Sequence, residues 1–405
     1  MNPPLLRIAI ATGLASIGLA AGGTGGALLA TELAGNESVA GLPFGAVVAG
    51  SALGAVLVSR LTLHIGRARA LAVGYGIGVM GGATVIVGAL ASSMGLLLLG
   101  SLLLGPANAS VFLARYAGAD LADPSHRGRG LGAILFATAL GAVLAPNLLG
   151  PSGAVAEIIG LSPFVGLYLV ALGAFGLGAV ILAPVNFVRG PVVRTSGAWT
   201  GSSLVGLVVL GAANMAMVGV MAVAPVHLTM HGHDLGFIGL TISIHVAGML
   251  APSPITGWLS DRIGAGMVAA AGAILLAAAG IWGATAEPSS AAQITGFLLT
   301  LGLGWNLAVV AGSSLLTAGL PAHVRPRAEA AGEVTMGLAA AVGATGAGLL
   351  ASAAGWPVMM MAGGIIGAIV LVGLAGQRAD RRVAGARPAA FNRVAIDPVF
   401  QGEDR

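Results

Sequence analysis

The chain has 405 residues, of which 57% are hydrophobic and 8% are charged, and it contains no cysteine. Soluble globular domains carry charge on roughly a quarter of their residues, so this composition, with a mean hydropathy of +0.97, excludes a soluble domain and indicates a chain solvated mostly by lipid. The absence of cysteine excludes disulfides and thiolate metal sites, so soft-metal chemistry would have to use methionine or histidine.

Twelve segments are apolar over the roughly 20 residues that a membrane-spanning helix requires. In chain order they are predicted at residues 5–29, 42–63, 70–90, 94–113, 130–149, 164–188, 204–226, 237–258, 267–285, 294–316, 332–353 and 356–374. The first is longer than the apolar stretch of a signal peptide and lacks a clear cleavage site, so we expect it to be retained. The predicted fold class is therefore an all-α membrane protein with twelve transmembrane helices.

The distribution of charge predicts the orientation of these spans. All 18 basic residues are arginines, and each lies at the N-terminus, in an even-numbered connection or after the last span. The opposite connections contain only acidic charges: Glu32, Glu37, Glu157, Asp234 and Glu287. Because arginines near span ends stay in the cytoplasm, both termini are predicted to be cytoplasmic. No nucleic-acid partner is needed to explain the pI of about 10.6.

The chain repeats some of its features at an offset of 198 residues. Three pairs of residues share this offset: Gly66 and Gly264, Arg127 and Arg325, and Asn108 and Asn306. Internal repeats are typical of transporters built from two halves. The predicted organisation is a six-helix half at residues 1–190, a cytoplasmic linker at 191–201, a second six-helix half at 202–376 and a cytoplasmic tail at 377–405.

Two motifs resemble those of the major facilitator superfamily. Residues 257–264 match its loop motif, glycine-x-leucine-x-aspartate-arginine-x-glycine, and the equivalent residues 59–66 have Leu63 in place of the aspartate. The fifth span resembles the antiporter motif through its small residues and proline: Gly132, Gly141, Ala145, Pro146 and Gly150. Ser101 stands where the superfamily's proton-coupling arginine would lie. The resemblance implies two halves that rock around a midplane site.

Five charged or ionisable residues are functional candidates: Asp261 and Arg262 in the loop motif, His245 and Glu333 within spans, and Asp120 just past the fourth span at its cytoplasmic end. The resemblance implies that Asp261 and Arg262 latch the cytoplasmic gate, although a helix cap beside a positive-inside arginine is the alternative. Ionisable residues inside spans are functional candidates because lipid does not solvate them. His245 lies near the middle of the eighth span, and Glu333 could bind a coupling proton or be a solvated residue at the start of the eleventh.

Methionines accompany His245 at helical spacing. Met217 and Met221 share one face of the seventh span, and His245 and Met249 share one face of the eighth. Met217 and His245 are each roughly 15 Å from the outer ends of their spans, so the four side chains are predicted to interleave. Thioethers with one imidazole favour Cu(I). The alternatives are methionines that fill gaps and a histidine that hydrogen-bonds a neighbouring helix.

Further metal-binding residue types lie in the loop outside this predicted site. They are His227, Met230, His231 and His233. The sequence therefore predicts a possible capture site for the metal above a transport site, although loop histidines could also be merely solvated.

The spacing of the two pairs is similar to that of CcoA-like copper importers of the major facilitator superfamily. Met217-x-x-x-Met221 is followed 24 residues later by His245-x-x-x-Met249. The resemblance implies that these four residues bind copper during its import for the assembly of haem-copper cytochrome c oxidase. It also implies a monomer without enzymatic activity or a resident cofactor, with a possible periplasmic copper donor and a possible cytoplasmic acceptor.

Three other functions are compatible with the sequence. The fifth-span motif favours a proton-coupled drug exporter, but no acidic residue lies deep in the first half. A riboflavin-like organic solute would require aromatic stacking, for which the chain offers 4% aromatic residues, including Trp305 and Tyr168. A membrane receptor that transports nothing is the third alternative.

Overall fold

The computed structural model describes residues 3–19, 21, 25–35, 39, 41–185, 199–233 and 235–386. Most of the predicted linker and residues 387–405 of the predicted tail lie outside this part of the chain. The described residues form fourteen α-helices and no β-strand. The helices are α1 (Pro3–Ile17), α2 (Gly26–Ala34), α3 (Leu42–Ile65), α4 (Arg67–Leu90), α5 (Met94–Leu121), α6 (Arg127–Leu144), α7 (Leu149–Ile158), α8 (Gly166–Leu182), α9 (Gly201–Met230), α10 (Leu235–Leu250), α11 (Ser253–Ile263), α12 (Ala265–Thr285), α13 (Ala291–Thr317) and α14 (Arg325–Ala386).

The prediction of an all-α membrane protein is confirmed. Ten stretches of described helix are long and apolar enough to cross a membrane. The last of them covers two predicted spans, because α14 changes direction at Gly355, whose φ of 83° and ψ of 170° are not helical. The first predicted span corresponds to α1 and α2, which are each too short to be counted among the ten. Each of the twelve predicted segments is therefore helical over most of its described length.

Three boundaries differ from the predictions. Helix α5 extends to Leu121, eight residues beyond the predicted end of the fourth span, because polar residues in its last turns find partners inside the protein. The eighth predicted span is divided between α10 and α11, and the side-chain amide of Asn306 donates to the Met249 carbonyl and the Ser253 hydroxyl at this break, both at 2.7 Å. Helix α14 continues to Ala386, so residues 377–386 are helical.

Two equivalent turns show the repeat at the level of the backbone. Gly66 connects α3 to α4 with φ 85° and ψ 156°, and Gly264 connects α11 to α12 with φ 91° and ψ 141°. A side chain rarely tolerates such positive φ values, which explains why glycine stands at both positions.

The two sets of helices, α1–α8 and α9–α14, meet mainly through α6 on α11 and α3 on α14. We call these sets the first and second halves. Several arginines mark the end of the bundle where α6 and α14 begin, which we call the arginine-rich end: Arg67, Arg127, Arg262 and Arg325. Within the second half, α13 packs against both α9 and α10.

Candidate functional site

A buried ion pair connects the halves at the arginine-rich end. Arg67, at the start of α4, donates from both terminal nitrogens to the carboxylate of Glu329 in α14, at 2.6 and 2.9 Å. Its guanidinium also lies 2.8 Å from Asp120 in α5. The side chains of Arg67 and Glu329 are almost completely buried. Paired, bidentate geometry is what makes such burial of charge tolerable.

Asp120 extends this network toward solvent. Its carboxylate lies 3.3 Å from Arg127 at the start of α6 and 3.5 Å from Arg325 at the start of α14. These two arginines are related by the offset of 198 residues and belong to opposite halves. One carboxylate of the first half therefore neutralises arginines from both halves.

A second buried pair lies deeper in the bundle. The guanidinium of Arg115 is fully buried and lies 2.7 Å from Glu333 in α14. Arg115 also donates to the Ser313 hydroxyl at 3.0 Å and to the Phe112 carbonyl at 2.8 Å, and it lies over the ring of Tyr116. Because α14 begins at Arg325, Glu333 is not in the first helical turn, and its side chain is only 11% exposed.

Asp261, predicted to be part of the gate, caps a helix of the opposite half. Its carboxylate accepts hydrogen bonds from the backbone N–H groups of Gly128 at 2.7 Å and Arg129 at 2.9 Å, at the start of α6. A carboxylate at a helix N-terminus accepts hydrogen bonds from the free N–H groups, and its negative charge interacts favourably with the helix dipole. Arg262 lies instead over the ring of Trp258, 5.1 Å from its centre. Because Asp261 is on α11 and the N–H groups that it caps are on α6, this helix cap links the two halves.

The equivalent contact between α3 and α14 has a different chemistry. Leu63 occupies the position that corresponds to Asp261, and the Ser59 hydroxyl donates to the Pro326 carbonyl. The Arg67–Glu329 pair provides the charged link on this side. The arginine-rich end is thus closed by a helix cap on one side and a buried ion pair on the other.

Sequence reasoning did not identify Arg67, Arg115 or Glu329 as functional candidates. The arginines fitted the positive-inside pattern, which counts charges near span ends without regard to burial. One usable signal was the spacing of Glu329 and Glu333, which places two acidic side chains on one face of an apolar helix.

His245 is buried against α13, with 1% of its surface exposed. Its Nδ1 lies 2.7 Å from the Leu298 carbonyl oxygen, and because a carbonyl only accepts, Nδ1 carries the proton. Nε2 then holds a lone pair and has no hydrogen-bond partner among the described residues. A neutral imidazole whose other nitrogen donates to a backbone carbonyl is the usual form of a metal-binding histidine.

The three methionines of the predicted site lie on two helices that flank α13. Met217 is buried on α9, Met221 is partly buried one turn away, and Met249 is partly buried on α10. Helices α9 and α10 make little contact with each other, and α13 packs against both. The prediction of interleaved side chains assumed direct contact between these helices, whereas α9 and α10 each pack far more against α13 than against each other.

The loop histidines cluster at the end opposite the arginines. The rings of His227 and His231 are 4.3 Å apart, and His227 also stacks on Trp356 at 4.0 Å. His233 donates through Nε2 to the Pro288 carbonyl at 2.8 Å, and Met230 is 78% exposed. Desolvation, followed by the charges of His231 and His233, lowers the pKa of His227 to about 4, so its imidazole is neutral at pH 7.

Among the described residues, no group of three or more histidine or acidic side chains is arranged to hold a metal ion. The donor set predicted around His245 consists instead of one imidazole and three methionine thioethers. This donor set suits a soft monovalent ion and not Mg²⁺ or Ca²⁺, which require oxygen ligands.

Comparison with solved structures supports the same architecture. A variant of the Escherichia coli fucose:proton symporter FucP has a TM-score of 0.71 and 15% identity, over 92% of this chain and 98% of that chain. The proton:xylose symporter XylE has a TM-score of 0.75 and 14% identity, over 92% and 95%. At these identities the likeness concerns the fold alone.

Sequence comparison identifies the family. The Major Facilitator Superfamily profile matches residues 204–394. The uncharacterized MFS-type transporter YddS of Bacillus subtilis is 33% identical over 87% of this chain and 86% of its own length. The riboflavin transporter RfnT of Brucella anthropi is 28% identical over 92% of this chain and 94% of its own length. The chain belongs to the major facilitator superfamily.

Proposed function

We propose that this transporter imports copper, as Cu(I), across the inner membrane of a bacterium, with the arginine-rich end in the cytoplasm. The observation that carries the proposal is the buried His245, whose Nδ1 proton is held by the Leu298 carbonyl while Nε2 has no hydrogen-bond partner among the described residues. Burying a polar atom without a hydrogen-bond partner costs free energy. Binding of the transported ion by Nε2 explains why a histidine occupies this buried position.

The soft thioether sulfurs of the methionines favour Cu(I) over harder cations. Met249 lies one turn from His245 on α10, and Met217 and Met221 lie one turn apart on α9. None of the relatives named above is described as a copper transporter, so the proposal rests on these ligands.

The packing of α13 against both α9 and α10 suggests how binding and transport are connected. A Cu(I) ion held by His245 and Met249 would complete its coordination only when α9 approaches α10. Occlusion of the ion would then favour a rearrangement of the second half. The free energy gained when the ion completes its coordination would offset the cost of breaking the contacts that close the arginine-rich end. These contacts must separate before copper reaches the cytoplasm.

Replacing single ligands tests the proposal. Cells that express the native chain are expected to accumulate radiolabelled copper. Met217→Leu and His245→Gln should each reduce the initial rate of uptake at least about tenfold. Loss of a residue that only hydrogen-bonds a metal ligand already weakens metal binding by about this factor. Leucine preserves the volume of methionine but removes its sulfur.

Met215→Leu is the matched control for this test, because Met215 lies on the same helix but borders a cavity between α9 and α14. Its uptake should equal that of the native chain. Equal copper uptake by all four proteins, at equal abundance in the membrane, would refute the proposal.

A riboflavin-like solute is the second candidate, favoured by the 28% identity with RfnT. The residues predicted to stack on such a solute, Trp305 and Tyr168, are both buried, and the Trp305 indole N–H donates to Asn214 at 3.0 Å. Radiolabelled riboflavin should be measured in the same cells. Accumulation of riboflavin without accumulation of copper would favour this second function.

A further inference from the structure

We infer that His227 and His231 form a copper-capture site at the end of α9, from which the ion passes down the same helix to the transport site. The inference rests on the proposed function for the identity of the metal. It assigns a second metal site that begins at His227, six positions or about 9 Å beyond Met221 along α9.

The spacing and geometry of the two imidazoles carry the inference. His227 and His231 are one helical turn apart, and their ring centres are separated by 4.3 Å. Side chains four positions apart lie on the same face of a helix, where two ring nitrogens can bind one ion with small changes of rotamer. A pair of imidazoles suits copper better than it suits harder cations.

The hydrogen bonds leave a lone pair available on His231. Its Nδ1 lies 2.7 Å from the His227 carbonyl oxygen and must be the donor, so Nε2 carries the lone pair. His231 is exposed to solvent, as is the neighbouring Met230.

The surroundings favour a cation at this end. Arginines are absent from the connections predicted to face the outside, and acidic residues occur there instead. Glu287 lies in the connection that also holds Pro288, the acceptor of the His233 hydrogen bond. Local charge therefore attracts a positive ion before it meets the ligands.

Trp356 provides an internal reporter for the site. Its indole stacks on His227 with ring centres 4.0 Å apart and an angle of 8° between the planes. Because a copper ion bound beside an indole quenches its emission, titration of the purified full-length protein with Cu(I), kept reduced by ascorbate in the absence of oxygen, should reduce tryptophan fluorescence. In a Trp356→Phe variant most of this loss should disappear.

The decisive comparison is between His231→Gln and a distant histidine variant. His231→Gln should raise the copper concentration at half-quenching at least about tenfold. His126→Gln, at the arginine-rich end, should leave it unchanged. Uptake by His231→Gln should be slow at low copper and approach the native rate at saturating copper, because the transport site is intact.

The same measurements separate this inference from the proposed function. His245→Gln should keep the fluorescence response and lose copper uptake. Native quenching by His231→Gln would overturn the capture site whatever the uptake results are. Quenching that depends on His231, in a protein that imports no copper, would support metal binding at this site and refute copper import.

Discussion

Replacing Glu329 by glutamine is expected to open the arginine-rich end. In the native protein Glu329 receives two hydrogen bonds from Arg67, and both side chains are buried between the halves. Removing one partner of a buried ion pair costs roughly 3–5 kcal/mol. A change of this size corresponds to a factor of about 10² to 4 × 10³ in a conformational equilibrium. Asp120 stays beside Arg67 and reduces the effect without abolishing it.

The absence of cysteine from the native chain allows this opening to be measured. In a Ser59→Cys background, the reporter thiol lies under the Pro326 backbone, because the native Ser59 is buried and hydrogen-bonded to it. Adding Glu329→Gln should increase the rate at which a maleimide labels this cysteine.

Asp123→Asn is the matched control, since Asp123 lies at the same end but is 84% exposed and makes no close ion pair with the opposite half. Labelling in this control should remain at the rate of the Ser59→Cys parent. Equal rates in the glutamine variant and the control would show that the Arg67–Glu329 pair does not hold the halves together.

The spans were predictable from the sequence because hydropathy is a local property. An apolar stretch of about 20 residues indicates its own helix, whatever the remainder of the chain does. The loop motif at residues 257–264 likewise indicated a contact at the cytoplasmic gate, and Asp261 does reach the start of α6 in the other half. What the motif did not indicate was the separation of Arg262 from that contact.

The pairing of distant charges was not predictable from a single sequence. Arg115 and Glu333 are separated by 218 positions, and Arg67 and Glu329 by 262. No local pattern specifies which of several arginines a given acid will meet. The order of helices along the chain was also misleading for the second half. Helices α9 and α10 are consecutive in sequence, but they contact each other little and each packs against α13. The histidine on α10 was identified correctly as buried, and the alternative that it hydrogen-bonds a neighbouring helix is confirmed, although Leu298 on α13 was not named as the acceptor.

Replacing Gly257 by alanine is expected to prevent the same end from closing. A Cβ atom added at Gly257 would lie 2.2 Å from the Gly128 carbonyl oxygen, and one added at Gly128 would lie 2.5 Å from the Gly257 carbonyl. These atoms belong to the backbones of α11 and α6, so relief requires the helices to separate. Overpacking of this kind costs typically about 1–3 kcal/mol. Separation would also lengthen the bond from Gly128 to Asp261, which weakens the cap of α6.

For the proposed cargo, copper, the expected uptake is at least about tenfold below the native rate. The overpacking and the weakened cap both destabilise the closed conformation, and each 1.4 kcal/mol changes an equilibrium about tenfold. Gly173→Ala is the control, because a Cβ at that position on α8 meets nothing within 4 Å. It should transport normally, as alanine favours a helix more than glycine does. Since Glu329→Gln and Gly257→Ala weaken the two sides of one contact, maleimide labelling of Ser59→Cys should rise in both. A rise in the first alone would mean that α3 and α14 close this end without α6 and α11.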